Sequence, residues 1–312
     1  MWTLSNTNYN GEVLEVLYQV FGIGNEIVEK GAARLLSDIS TKKALPKISQ
    51  TDSPIGDYVD GEPSSDTVTS TYAERELVMQ KMTLYEEFKP TDWHNLWKMW
   101  QSVGDMTNLA ANPQILAAVL ALYQNGIGRQ ISKNFWQGDT TLGAGNALNK
   151  FNGIVTRAAA DATVIDVANI GAITKSNVIE VLEDFWAAIP DKFQDDEDFR
   201  IHMNTTDWKY LQQANNDIKK SSVGVLNQSI QDLFLQKRIV HFQGLPASSI
   251  VGARTTNDDN SNLFLGVWVD PEAEEPVIAK KNAAGRTWFV RIDFKADANY
   301  REGSEIVLYQ GS

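Results

Sequence analysis

The longest unbroken pattern of apolar positions in the chain is helical. Leu116, Val119, Leu120, Tyr123, Ile127 and Ile131 recur at three- and four-residue steps, with Gln124, Asn125, Gln130 and Lys133 off that line, so one apolar stripe runs along a single face. Asn112 is a favoured N-cap, and Pro113 suits the first helical position, where its missing N–H costs nothing. The spacing predicts a helix over 113–134, roughly 30 Å long at 1.5 Å per residue. Phe135-Trp136 anchors its far end and Gly138-Asp139 turns the chain. Gly126 and Gly128 each cost about 1 kcal/mol relative to alanine inside a helix, so close packing or a bend is expected to offset them.

The remaining chain is more broken. Residues 11–39 place Val13, Leu14, Leu17, Val20, Phe21, Ile27, Val28, Leu35, Leu36 and Ile39 at helical spacing, interrupted by Gly22-Ile23-Gly24, so one bent helix or two are expected there. Residues 42–71 carry Pro46, Pro54, Gly56 and Pro63 with Asp52, Asp57, Asp60 and Asp66, a composition that suits an exposed, extended excursion. The return, 67–88, begins with strand formers, but AERELVMQKM also satisfies a helix, and periodicity leaves both open. After Lys89-Pro90, Trp93, Leu96, Trp97, Trp100 and Val103 share one helical face. Beyond the long helix the pattern gives a short strand over 163–167, a helix capped by Thr174 or Ser176 and ended by Pro190, and a strand over 199–203. A helix capped at Asn204-Thr205-Thr206, a short helix over 230–235 and a strand over 238–242 follow. Gly244-Leu245-Pro246 then turns the chain into Ile250-Val251, and strands are expected over 263–269, 287–294 and 305–309. Strands in runs after paired helices, without strict βαβ alternation, indicate an α+β fold.

Composition narrows the function. The 312 residues are 43% hydrophobic and 22% charged, as in a globular protein with a proper core. There is no cysteine, which excludes disulfides, thiolate metal sites and cysteine nucleophiles. No 18-residue apolar run and no basic leader with a cleavage site occur, so neither membrane insertion nor secretion is expected. A formal net charge of −12 argues against a protein whose main task is gripping phosphate backbones.

Catalytic constellations are missing. His94, His202 and His241 are scattered; Asp92 and His94, two apart on a helix, face away from each other and make a poor metal pair. The pairs Gly22/Gly24, Gly126/Gly128 and Gly143/Gly145 lack the context of a phosphate loop. Glu86-Glu87 are adjacent carboxylates without the burial that general-acid work needs, and Asn204 and Asn227 match the glycosylation sequon by chance. Trp93, Trp97 and Trp100 could form a stacking platform for bases or sugars, but the same spacing packs a core face. No catalytic, cofactor-binding or metal-binding residue is therefore assigned.

The order of features resembles a tailed-bacteriophage major capsid protein, a fold also used by encapsulin shells. The Pro-rich excursion and its return, EEFKPTDWHNLWKMW leading into NPQILAAVLALYQNGIGRQISKNFWQGD, the FRIHMNTTDWKYLQQA step and RIVHFQGLPASSIV carry the resemblance, which covers nearly the whole chain. It implies an N-terminal arm (1–41), an extended hairpin loop (42–88), a peripheral domain (89–165) with the spine helix 113–134, and an axial domain with returning peripheral strands (166–312). The implied function is a structural subunit, not an enzyme, that assembles through pentamers and hexamers into an icosahedral virion shell around double-stranded DNA. Synthesis and assembly in the host cytoplasm, and no membrane partner, go with that reading. Its partners would be other copies of itself, portal protein and, since no Lys/Glu-rich leader is seen, a separate scaffolding protein, with DNA touched only weakly. An encapsulin-type compartment is the nearest alternative, and a dispersed-site enzyme or carbohydrate-binding module a more distant one. One branch of the family crosslinks lysine to asparagine; Lys47, Lys81 and Lys89 are available, but no partner geometry follows, and no crosslink is expected.

Overall fold

The computed structural model describes residues 26–37, 39–50, 60–61, 70–89, 113–221, 233–235, 237–256, 258–268, 277–281 and 287–311. The readings at 11–25, at Asn112, on the tryptophan face 93–103 and at Asn227 lie outside them.

The described elements, in chain order, begin with a helical turn α1 (Glu26–Glu29) and strands β1 (Arg34–Leu36), β2 (Lys42–Gln50), β3 (Ser70–Val78) and β4 (Gln80–Phe88). The spine helix α2 (Pro113–Gln137) and α3 (Ile154–Ala159) follow, then β5 (Ile165–Asp166), α4 (Val178–Ala187), α5 (Asp191–Gln194), β6 (Phe199–Asn204) and α6 (Thr205–Ser221). The chain closes with β7 (Leu233–Phe234), β8 (Lys237–Phe242), β9 (Ser249–Arg254), β10 (Leu263–Trp268), β11 (Val277–Lys280), β12 (Trp288–Tyr300) and β13 (Val307–Gln310).

Three sheets result. One runs β1-β10-β12-β11, with β4 also paired to β12; a second runs β5-β13-β9-β6-β8-β7; the third is the ribbon β2-β3. The spine helix lies between the first two. Ile127, Ile131, Phe135 and Trp136 join Phe88, Val290, Ile292 and Phe294 of one sheet and Val240, Phe242 and Val251 of the other in a single core. The opposite face of the second sheet packs Ile201, Met203 and Ile239 against α4, whose Val178, Val181, Leu182 and Phe185 fall at helical steps on one buried side. This sheet is thus covered on both faces, which is why FRIHMN and SIVGAR read as near-continuous buried runs.

Several expectations are corrected. The helical reading of 11–39 fails at Arg34–Leu36, which pairs in parallel with Phe264–Gly266: three residues at an edge follow their neighbour's hydrogen bonds, whatever their period. The short helix expected over 230–235 fails at its described end, where Leu233 and Phe234 pair antiparallel with Arg238 and Lys237 and Leu235 takes φ 43°. The spine continues three residues past 134, because Phe135 and Trp136 are buried as helical residues and do not end the helix. The ambiguous return over 67–88 is strand on both sides of Met79, since each half finds a partner strand.

Candidate assembly interface

The ribbon has two faces with different chemistry. β2 and β3 pair antiparallel from Lys42↔Val78 to Gln50↔Ser70, so alternate residues face the body and face away. On the body side Leu45 and Leu77 are buried with Leu36, Ile39, Met79 and Phe264 in a small core of their own. Lys47 lies 2.5 Å from Glu305 and 3.6 Å from Glu302. Arg75 reaches Asp161 at 2.5 Å, and its guanidinium sits 4.4 Å from the Tyr300 ring centre.

The backbone of the ribbon is tied at the same place. The Val78 N–H donates to Asp297 Oδ2 at 2.9 Å, Asp297 Oδ1 accepts from Arg157 at 2.8 Å, and the Asn299 amide donates to the Glu76 carbonyl at 2.7 Å. Asp161 is the hub. Burial opposes its ionisation, but hydrogen bonds from the Thr163 N–H and hydroxyl, the Tyr300 hydroxyl and Arg75 outweigh that and hold its carboxyl well below the usual carboxylate range. Burial pushes the buried Asp297 carboxyl upward, against the pull of Arg157.

The outward face carries exposed apolar side chains among charged ones. Ile48 is 75% exposed, Tyr72 63% and Val78 45%, with Ile48 and Tyr72 directly opposite each other. Lys42 and Glu76 pair at 2.9 Å beside them, and the Tyr72 hydroxyl donates to Glu74. Exposed aromatic and β-branched side chains on a two-stranded ribbon make this face a candidate contact surface.

The spine end fixes the frame from which the ribbon projects. Trp136 packs 5.3 Å from Phe242 and 5.4 Å from His202, and the Gln137 amide donates to the Gly244 carbonyl. Gly153 donates to the Gly138 carbonyl at 2.8 Å, and a Cβ on Gly153 would stand 2.6 Å from the Asn134 carbonyl oxygen, so this crossing needs glycine.

The residues weighed from sequence do not converge on a reactive centre. His202 is fully buried; burial pulls its pKa down to about 3 despite a hydrogen bond with the Val251 carbonyl, so it is a neutral core residue. His241 lies one register step on, facing the other side of the sheet and stacked on Trp208 at 4.5 Å. Asn204 caps α6, accepting from the Thr206 N–H and donating to the Leu245 carbonyl. Glu87 accepts from Tyr85 and from Lys281. Lys81 and Lys89 lie at the surface, and Lys47 is held in its ion pairs. The Arg75–Asp161–Tyr300 cluster escaped sequence reading because its members are far apart in the chain; the one local signal is Arg75 alternating inward between Glu74 and Glu76.

No protein-family model matches the sequence, and no curated protein sequence matches it. Solved structures do. A chain from the satellite phage P4 procapsid, which includes the size determination (Sid) protein, superposes with a TM-score of 0.65 at 12% identity, covering 98% of this chain and 93% of that one. The capsid of Myoviridae phage XM1 gives 0.56 at 13% identity, covering 92% of each. A virus-like particle from Pyrococcus furiosus gives 0.52 at 8%, covering 95% of this chain and 96% of that one. The α+β capsid fold that the resemblance implies is the fold this chain adopts.

Proposed function

We propose that this chain is the major capsid protein of a tailed phage, a structural subunit that performs no reaction and closes through pentamers and hexamers into an icosahedral shell around double-stranded DNA. The observation that carries this reading is the ribbon: anchored on one face by its own chain, it leaves Ile48 and Tyr72 uncovered on the other. A neighbouring copy is the natural cover. Such head-to-tail contacts close into rings of five and six, and many weak contacts per copy add up across a shell. Residues 1–41 serve as the arm and the ribbon with its tip as the extended loop. The sheet containing β12, with the spine helix, makes the peripheral domain; the sheet containing β6, with α4 and α6, makes the axial one. Scaffolding and portal proteins are the further partners, and the acidic balance keeps packaged DNA from being gripped by the wall.

The similarity to the Pyrococcus furiosus virus-like particle favours, as a second reading, a compartment that holds protein cargo. Size-exclusion chromatography and negative-stain microscopy of the purified chain, with and without a candidate scaffold, test both. Hollow particles or rings of subunits are expected; a monomer that stays monomeric under all these conditions would refute the shell reading. Nuclease-protected double-stranded DNA inside particles from infected cells selects the virion, and co-purifying enzyme cargo selects the compartment.

A further inference from the structure

In an acidic chain, two arginines stand side by side. Arg200 and Arg238 are register partners on the adjacent parallel strands β6 and β8, so both side chains leave the same face of the sheet. Like charges directly opposite one another on a sheet are destabilising. Neither arginine is ion-paired among the described residues: Asp196 and Asp198, on the adjoining turn, are engaged by Arg254 at 3.1 and 4.0 Å. Arg200 donates once, to the Gly31 carbonyl at 3.2 Å, and its Nε–H is buried with no acceptor. Burial, then repulsion from Arg238, both disfavour its charge, against a weaker pull from Asp198. Residues 28–31 arch over this face and leave a cleft of about 400 Å³ bounded by Glu29, Lys30, Arg200 and Arg238. Lys30 is already occupied, 2.7 Å from Glu26 and donating to the His241 carbonyl, so the two arginines face the Glu29 carboxylate as the one acidic group lining the cleft and leave it net positive.

We infer that this cleft binds a phosphate-class oxyanion, bridged between the guanidinium groups of Arg238 and Arg200. The planar guanidinium fork matches the spacing of phosphate oxygens, and a bridging anion turns the repulsion between the two arginines into a shared attraction. The shared chemistry is that of a phosphate group, either a free phosphate ion or one phosphodiester of a nucleic acid. The inference rests on the arginine pair alone and stands whether or not the chain builds a shell.

Thermal unfolding of the full chain, titrated with sodium phosphate against sodium chloride at equal ionic strength, tests it. The melting temperature is expected to rise with phosphate and not with chloride. Arg238→Gln is expected to bind phosphate about tenfold more weakly, the loss of one charged hydrogen-bonding partner. In phosphate-free buffer the same variant is expected to melt no lower than the wild type, because the like-charge repulsion has gone. Arg238→Lys, which keeps the charge but loses the fork, should fall between the two. No phosphate-specific rise in the wild type, or an undiminished rise in Arg238→Gln, would overturn the site. A short duplex DNA in place of phosphate separates the sources: binding that weakens in Arg238→Gln assigns the anion to nucleic acid, and a response to phosphate alone assigns it to the free ion.

Discussion

Strands β6 and β9 are paired antiparallel, just as the ribbon strands β2 and β3 are, yet the two pairs have opposite relations to the rest of the molecule. β6 and β9 are buried along nearly their whole length, with α4 and α6 over one face and the end of the spine helix under the other. Among the described residues the ribbon is held by Leu45, Leu77, Lys47 and the charges around Asp161, whereas Ile48 and Tyr72 farther out are exposed. A two-stranded ribbon is marginal in water by itself. The sheet is therefore ordered by its own chain, whereas the outer ribbon depends on what lies against it.

The largest effect is expected where that self-sufficiency is greatest. Trp136→Ala removes a fully buried side chain packed against Phe135, His202 and Phe242, and should cost about 3–5 kcal/mol in equilibrium denaturation. Arg75→Ala acts at the ribbon's anchor. It breaks the Asp161 ion pair and uncovers Tyr300, and should cost roughly 1–3 kcal/mol, felt mainly as release of the ribbon. Limited proteolysis in 51–69 is the readout: cleavage should accelerate several-fold in the variant. A uniform loss of stability with unchanged cleavage in that segment would mean that the ribbon and the body melt as one unit.

Acid separates the same two regions. Asp161 is depressed below its ordinary 3.8, so its contribution is fully present above about pH 4 and is lost as pH falls further, loosening the anchor. Asp207 behaves oppositely. It is buried in the first turn of α6, accepts from the Ser248 N–H, and burial raises its pKa to about 6. A raised carboxyl stabilises the fold below its unfolded value of 3.8, and that contribution is lost as pH rises through 6. Asp297, in the ribbon anchor itself and also raised by burial, carries the same sign as Asp207 and so opposes part of the acid loosening that Asp161 brings. Asp207→Asn should flatten the decline in denaturation stability between pH 4 and 6 while leaving acid-induced cleavage in 51–69 as it was. A variant whose stability still falls over that interval as the wild type's does would remove Asp207 as the source.

What could be read from sequence follows the same divide. The spine helix was legible because its stripe of Tyr123, Ile127 and Ile131 repeats over many turns, and α4 because Val178, Val181, Leu182 and Phe185 do the same. Strands β6, β8 and β10 were legible as short apolar runs between turn residues, and β12 only over its first part, since Lys295, Asp297 and Asn299 interrupt the apolar run although the strand continues to Tyr300. Arg34–Leu36 and Leu233–Phe234 were not, since two or three residues carry no period and take their structure from the strand beside them. The ribbon anchor was invisible for a related reason: Arg75, Asp161 and Tyr300 are joined only by the fold. The Arg200–Arg238 pair needs the β6–β8 register before its repulsion can be seen at all.

The smallest effect on the subunit should come from the outward face of the ribbon, and it is the most informative about function. Ile48 and Tyr72 touch little of their own chain, so the double variant Ile48→Ser with Tyr72→Ala should change denaturation stability by less than about 0.5 kcal/mol. Buried against a neighbour, each side chain would contribute roughly 1.5–3 kcal/mol, repeated at every copy in a closed shell. The variant should therefore give normally folded subunits and a sharply reduced yield of rings or particles by size-exclusion chromatography and microscopy. Particles formed at wild-type yield would show that this face is not the contact surface. A stability loss as large as that of Arg75→Ala would show that the outer ribbon leans on its own chain, and the contrast between the sheet and the ribbon would disappear.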